Sequence, residues 1–378
     1  MIDVATARET FESSTDFTVG IEEEFALVDP QTLLLVPRFE RLRDAAASDQ
    51  VLAASIAGEL ISSEIEIRSG VGADAADASA RQAEMRRRLF TLARAHGVTL
   101  GATGTHPLSD YREQHIIETE HYRRVEEGLK YVAWRNNTFS VHVHVGVHGA
   151  DRAIRVCDRL RPVLPLLLAL SANSPYIDGR DSGLHSGRSQ TFTKSFPRCG
   201  IPDAFGSWSA WAEYVGLLVR TNSIVEFTQL WWSIRPHHDF GTVEVRICDA
   251  QTTGPESDAL TELIVACVRR AAAEVDAGET PPDLPARLIE ENVWRAIRYG
   301  LDGRLLDLEA QRIQEFPAAE TLERLKAWSG ADIALPEYNG AQRQRRMIDA
   351  GVTPAEVYAE SLRETQETYL QETCDEPA

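Results

Sequence analysis

The chain has 378 residues, of which 43% are hydrophobic and 26% charged, so it can bury a sizeable core and does not need disulfide bonds or structural metal ions for stability. Acidic residues outnumber basic ones by 58 to 39, and the net charge of −19 argues against broad nucleic-acid binding. Five cysteines without a CxxC pair favour a reducing compartment, and no secretory or membrane-spanning pattern is present, so we expect a cytoplasmic protein without a membrane partner.

Short strand-like runs alternate with longer helical ones. In chain order the predicted elements are strands Phe17–Val28 and Ile61–Arg68, helix Asp77–His96, strands Val98–Thr103 and Phe139–Val147, helix Asp151–Ser171, strands Trp231–Arg235 and Gly241–Cys248, and helices Ser257–Ala277, Pro285–Tyr299, Ala318–Trp328 and Pro354–Gln371. Two loops stand out, a Gly-, Ser- and Arg-rich one at Asp178–Gly200 and a proline-rich one at Thr280–Pro285.

This order predicts an α+β fold, in which an antiparallel sheet of about six strands has one face covered by helices. We expect one catalytic domain over residues 1–378. Its sheet-forming part covers about residues 15–280, and a helical C-terminal part covers about residues 285–373.

Four of the predicted strands have one aliphatic face and one face that carries acids, histidines or arginine. The polar faces bear Glu22 and Glu24; Glu64, Glu66 and Arg68; Ser140, His142 and His144; and Glu244 and Arg246. A half-solvated antiparallel sheet also alternates, but its outer face usually includes lysine, and these faces have none.

Repeated carboxylates on one strand face point to a bound cation. Two carboxylates two residues apart repel each other by about 1 kcal/mol, and a divalent cation removes that cost. Oxygen ligands with a few imidazoles suit Mg²⁺ or Mn²⁺, although His142 and His144 leave Zn²⁺ open. Glu23 falls on the aliphatic face, where either an arginine partner or a bulge must accommodate its charge.

Several motifs together resemble a known family. They are Gly20-Ile-Glu-Glu-Glu-Phe-Ala-Leu-Val-Asp29, Gly104-Thr-His-Pro107, His142-Val-His-Val-Gly146, Ile234-Arg-Pro236 and Gly241-Thr-Val-Glu-Val-Arg246. In this order they resemble the YbdK-type carboxylate–amine ligases, the second type of glutamate–cysteine ligase. The resemblance implies a glutamine-synthetase-like fold whose curved sheet has helices on its convex face and ATP, metal and amino acid on its concave face.

The resemblance also implies roles for individual residues. The metal ligands would be Glu22, Glu24, Glu59, Glu66, His142 and Glu244. Arg246 and Arg235 would lie near the phosphates as catalytic and ATP-binding residues, and Arg188 would bind substrate or phosphate. Glu59 has an odd offset from Glu66, so it must lie on the turn before that strand or a bulge must intervene. We place His237 and His238 in a loop and Trp231 and Trp232 in the core.

The implied activity is ATP- and Mg²⁺-dependent amide formation through an acyl phosphate, with Mn²⁺ as a substitute metal. The substrates would be glutamate with cysteine or another amine, the glutamate–cysteine ligase activity would be weak, and the protein would form homodimers. Three alternatives remain at this point: an ATP-dependent guanidino phosphotransferase on the related fold, a zinc hydrolase, and a binding protein without catalytic activity.

Overall fold

The computed structural model of the protein describes residues 3–279, 284–310 and 312–370. The helices are α1 Val4–Glu12, α2 Phe39–Ala46, α3 Gln50–Ser55, α4 Ala75–Ala95, α5 Glu120–Leu129, α6 Tyr131–Trp134, α7 Ala150–Leu160, α8 Leu164–Ser171, α9 Gly187–Thr191, α10 Trp208–Arg220, α11 Gly254–Asp276, α12 Ala286–Tyr299, α13 Ala318–Ser329, α14 Gly340–Asp349 and α15 Pro354–Leu370. Short 3₁₀ turns occupy Tyr111–Glu113, Arg161–Val163, Phe227–Gln229 and Gly300–Asp302.

The strands form one main sheet and three small pairs. In chain order they are β1 Val19–Val28, β2 Ile56–Ala57, β3 Glu64–Arg68, β4 Thr99–Gly101, β5 Val141–Gly146, β6 Tyr176–Ile177, β7 Arg180–Asp181, β8 Cys199–Gly200, β9 Trp231–Trp232, β10 Ile234–His237, β11 Thr242–Val245, β12 Arg304–Asp307 and β13 Gln314–Pro317. The main sheet has seven strands in the order β10-β11-β5-β1-β3-β2, and β4 also pairs with β1. Its pairs are antiparallel, as the sequence predicts.

One face of this sheet is buried under helices because the aliphatic residues of each strand alternate with polar ones. Ile21, Val143 and Val245 join a large core that includes residues of α7 and α11. Phe25 and Ile65 join a second core with residues of α4. The helical layer therefore leaves the acid-bearing face of the sheet free to form a site.

Glu23 lies on the helix-covered face, and an arginine neutralises it. Its two carboxylate oxygens accept hydrogen bonds from Arg86 at 2.5 and 2.7 Å, and Gln82 and Ser257 donate to it at 2.9 and 2.5 Å. Of the two alternatives for Glu23, an arginine partner is therefore the observed one. The side chains of β1 keep their alternation through Glu24, and no bulge intervenes.

Several predicted elements need correction. The run Trp231–Arg235 is two strands, because β9 pairs in parallel with β8 whereas β10 pairs with β11. The predicted helix Asp151–Ser171 is interrupted at Arg161–Val163, where Pro162 lacks a backbone donor. The predicted loop Asp178–Gly200 contains β7, α9 and β8.

The C-terminal part is not entirely helical, since β12 and β13 form a hairpin between α12 and α13. Of the predicted proline-rich loop, Thr280–Asp283 lie outside the described residues, as does Gln371 at the predicted end of the last helix. No helix in the described part of the chain has the length and apolar character needed to cross a membrane.

Candidate active site

Strand register places the polar side chains of the main sheet opposite one another in rows. The directly opposed pairs are Arg235 with Glu244, Glu244 with His144, His142 with Glu22, Glu22 with Arg68, and Glu24 with Glu66. Opposed residues on one face have their Cβ atoms about 5 Å apart. The rows therefore cross five strands and bring together residues more than 200 positions apart in the chain.

These rows form the floor of a cavity of about 330 Å³. It is lined by nearly all the residues that the sequence analysis singled out for the site: Glu22, Glu24, Glu59, Glu66, His142, Arg188, Arg235 and Arg246. Glu244 is fully buried beneath them and contacts both Arg235 and Arg246. Glu59 lies just after β2, on the turn that leads to β3, as its odd offset from Glu66 requires.

Three overlapping groups of side chains in this site could each hold a cation. Within each group the ligand atoms lie within 4.8 Å of one another; the groups are Glu22, Glu66 and His142; Glu22, His144 and Glu244; and Glu24, Glu59 and Glu66. Carboxylate oxygens dominate all three, and this donor set fits Mg²⁺ or Mn²⁺. A buried carboxylate oxygen of Glu64 has no hydrogen-bond partner among the described residues, which leaves a further oxygen beside these groups for a cation.

Burial and mutual repulsion raise the pKa of several of these carboxyl groups. Burial, followed by the charge of Glu24, raises the pKa of Glu59 to about 8. Burial and neighbouring carboxylates, chiefly Glu22 for Glu66 and Glu24 for Glu64, raise the pKa of both groups well above the ordinary value. A divalent cation would replace protons on these groups, so the acidic cluster is suited to metal binding.

The opposite trend holds where cations lie among the acids. Burial alone would raise the pKa of Glu22, but His144 and His142 lower it well below the ordinary range. In the same way Arg235 and Arg246 overcome burial and lower the pKa of Glu244 well below its ordinary value. These two carboxylates are therefore charged even without a metal ion.

The three predicted arginines have different surroundings. Arg246 pairs with Glu244, and its buried Nε lacks a partner among the described residues. Arg188, on α9, donates to the backbone carbonyls of Ile247 and Arg246 at 3.1 and 3.2 Å. Arg235 donates to Glu244 at 2.6 Å and to the carbonyls of Leu230 and Thr228 at 2.7 and 3.2 Å, so its donors are used within the protein.

Four further residues of the site had no predicted role in it. Glu64 and Arg68 share the polar face of β3 with Glu66, so alternation alone could have included them. Ser140 donates from its backbone N and its Oγ to Glu24, both at 2.6 Å, and shares the polar face with His142. His237 is the last residue of β10 and lines the cavity, so its predicted loop position is wrong. Trp231 also lines the cavity, so its predicted core position is wrong, whereas Trp232 lies in the core as predicted.

Comparisons with known proteins identify the family. The profile described as glutamate-cysteine ligase family 2 matches residues 18–376. The chain belongs to this family. Its membership confirms the resemblance and the predicted class of enzyme, a carbon–nitrogen ligase of the glutamate–cysteine ligase type.

Two curated relatives of this family member show the extent of the likeness. A protein of Rubrobacter xylanophilus with the provisional name glutamate–cysteine ligase 2-2 is 41% identical over 84% of this chain and 81% of its own length. A protein of Sorangium cellulosum with the provisional name glutamate–cysteine ligase 2 is 41% identical over 78% of each chain.

Solved structures support the fold of this family member. The glutamate–cysteine ligase of Francisella tularensis in complex with AMP superposes with a TM-score of 0.64 at 12% identity, covering 96% of this chain and 91% of that one. A bifunctional glutathione synthetase from Pasteurella multocida gives the same score and identity, but this chain spans only 54% of its length. The predicted fold class is confirmed.

Proposed function

We propose that this family member uses ATP to join a carboxylate to an amine, with glutamate and cysteine as the first pair to test. The observation that carries the proposal is the single cavity lined by five of the proposed acidic or imidazole ligands, with the sixth, Glu244, buried beneath them and paired with Arg246. The names of the relatives support glutamate and cysteine, and the AMP complex of the Francisella tularensis protein supports a nucleotide site on this fold.

The acidic rows would hold the metal. Glu22, Glu24, Glu59, Glu66, His142 and Glu244 are the proposed ligands of Mg²⁺, or of Mn²⁺ in its place. When bound, such a cation neutralises charge on the phosphates. Ser140 orients the Glu24 carboxylate through its two hydrogen bonds. A homodimeric state and a cytoplasmic location stay predictions.

The proposed chemistry has two steps. An oxygen of the donor carboxylate attacks the γ-phosphorus of ATP, so that a new O–P bond forms, ADP leaves and the product is an acyl phosphate. The amine then attacks the acyl carbon, phosphate leaves and the amine loses a proton. Positioning and charge neutralisation dominate such transfers, which suits a site rich in ionic groups.

Arginine would stabilise the transferred phosphoryl group. The guanidinium group of Arg246 lines the cavity, and planar guanidinium groups match the geometry of phosphate oxygens. Arg188 would add a second cation at the same wall of the cavity. The contacts of Arg235 favour a positioning role, in which it holds Glu244 in place.

The test is ADP release with glutamate, ATP and Mg²⁺, in the presence and absence of cysteine. Hydroxylamine should trap an acyl hydroxamate, and phosphorus NMR should show free phosphate. Glu66→Gln should remove this activity, whereas the exposed Glu213→Gln on α10 should retain it. A stable phosphoramidate would instead support the guanidino phosphotransferase, and the absence of ADP release with every carboxylate and amine pair would overturn the ligase proposal.

A further inference from the structure

The cavity is chemically different at its two ends. One end has Arg188 and Arg246, and the aromatic rings of Phe192, Phe196 and Trp231 line the cavity there. The ring of Phe196 contacts those of Phe192 and Trp231, with centroid distances of 4.5 and 5.3 Å. Guanidinium groups bind phosphate, and aromatic rings stack on nucleobases. This end therefore suits the nucleotide.

Arg68 lies at the other end of the cavity, on β3. In the sheet, β5 and β1 separate β3 from β11, the strand that leads to Arg246. Three strand spacings correspond to roughly 14 Å between the two strands. The acidic side chains of the proposed metal site lie between the two arginines, so a group bound at Arg68 would be held apart from the phosphates.

Arg68 is the most exposed of the four arginines that line the cavity, and most of its donors are available. Its side chain is 48% exposed, against 13% for Arg246 and 3% for Arg188. A guanidinium group has five N–H donors. Among the described residues, Arg68 uses only Nε, which donates to Glu66 at 2.6 Å, while Glu22 lies 3.7 Å away as an ionic neighbour.

We propose that Arg68 binds a second carboxylate of the amino-acid donor, the one that is not activated by ATP. This inference rests on the proposed function, because it assigns a part of the same substrate. The Nη donors of Arg68 offer the paired N–H geometry that a carboxylate accepts. The enzyme would thereby select amino dicarboxylates, with one carboxylate directed to the phosphate and the other held at β3.

Steady-state kinetics can test this assignment with two donors. Glutamate and its α-amide, isoglutamine, have the same amine and the same γ-carboxylate and differ only in the α-carboxylate. The wild type should prefer glutamate in kcat/KM by roughly tenfold or more, since a charged pair is lost with the amide. In Arg68→Ala the preference should fall towards one, with a higher KM for glutamate and an unchanged KM for ATP.

Two further variants make the result specific. Arg68→Lys keeps the charge without the planar fork and should retain part of the preference. Arg43→Ala removes an arginine of similar exposure that pairs with Asp44 on α2, away from the cavity, and should change none of these constants. A thermal unfolding curve for each variant verifies the fold. If Arg68→Ala does not fold, the preference of Arg68→Lys for glutamate over isoglutamine tests the assignment.

Three results would overturn the assignment. Either substitution of Arg68 could leave the full preference for glutamate, the wild type could show no preference, or the variants could raise the KM for ATP alone, which would place a phosphate at Arg68. These outcomes are distinct from failure of the proposed function, in which the wild type itself releases no ADP with any donor and acceptor.

Discussion

Glu24 and Glu66 lie directly opposite each other on the neighbouring strands β1 and β3, and both side chains are buried. Opposed like charges destabilise a sheet, and the cost rises when water is excluded. Glu59 belongs to the same group of ligand atoms, so three carboxyl groups share one small volume. Such an arrangement is stable only when protons or a cation reduce the negative charge.

The first prediction concerns Glu59 in the metal-free protein. Its pKa of about 8 in the folded state lies above its ordinary value of 4.5, so folding favours the protonated form. That contribution to stability is complete below pH 4.5 and is lost as the pH rises through about 8. Glu59→Gln mimics the protonated group, so in EDTA it should be more stable than the wild type at pH 9, and the difference should vanish near pH 4.5.

Urea unfolding at a series of pH values measures this difference. Saturating Mg²⁺ should reduce the advantage of Glu59→Gln at pH 9, because the cation stabilises the ionised carboxylate of the wild type. A stability difference that does not vary with pH would show that Glu59 is ionised throughout.

The second prediction orders the proposed metal ligands. Glu22 and Glu66 each belong to two of the three ligand groups, whereas Glu24 and Glu59 belong to one. Glu22→Gln and Glu66→Gln should therefore weaken Mn²⁺ binding more than Glu24→Gln, by about tenfold or more. Isothermal titration calorimetry gives the affinity and the number of ions, and the exposed Glu213→Gln serves as the control. Equal losses of Mn²⁺ affinity in the three variants would contradict the conclusion that Glu22 and Glu66 each serve two ligand groups.

Much of this site could be predicted from the sequence because side-chain alternation is a local property of a strand. Period two alone places Glu22 with Glu24 and His142 with His144 on the polar face. It also places Glu64 with Glu66, although the resemblance implies no role for Glu64. The family assignment then confirms the class of fold and enzyme.

The remaining features depend on contacts between distant parts of the chain. Nothing local determines that Glu24 faces Glu66, because register is set by pairing between strands about forty residues apart. The run Trp231–Arg235 alternates as one strand, but its two halves pair with different partners. Arg188 reaches the cavity only because α9 forms within a segment whose Gly and Ser content is typical of a loop.

The third prediction separates the two arginines that contact Glu244. Arg235 donates to two backbone carbonyls as well as to Glu244, whereas the guanidinium group of Arg246 hydrogen-bonds only to the side chains of Glu244 and His142 among the described residues. Arg246→Lys should lower kcat by about a hundredfold with little change in stability, since lysine lacks the planar fork. Arg235→Lys should lower the unfolding midpoint, because it leaves buried carbonyls unpaired. If instead Arg235→Lys lowered kcat and Arg246→Lys lowered the unfolding midpoint, Arg235 would be the arginine that contacts the phosphate.

The fourth prediction concerns the buried ion pair on the opposite face of the sheet. Glu23 accepts two hydrogen bonds from Arg86, whose guanidinium also contacts Asp258 at 3.1 Å. Glu23→Ala leaves the Arg86 charge with one partly exposed partner, and breaking a buried pair costs about 3–5 kcal/mol. Urea unfolding should show this loss in the free energy of unfolding.

The double variant Glu23→Leu with Arg86→Met distinguishes a structural pair from a functional one. It removes both charges and keeps similar volumes, so it should recover most of the stability that Glu23→Ala loses. The rows of carboxylates lie on the other face of β1, and the ADP-release activity of the double variant should therefore stay close to that of the wild type. A stable double variant without activity would instead link Arg86 to the catalytic face through β1.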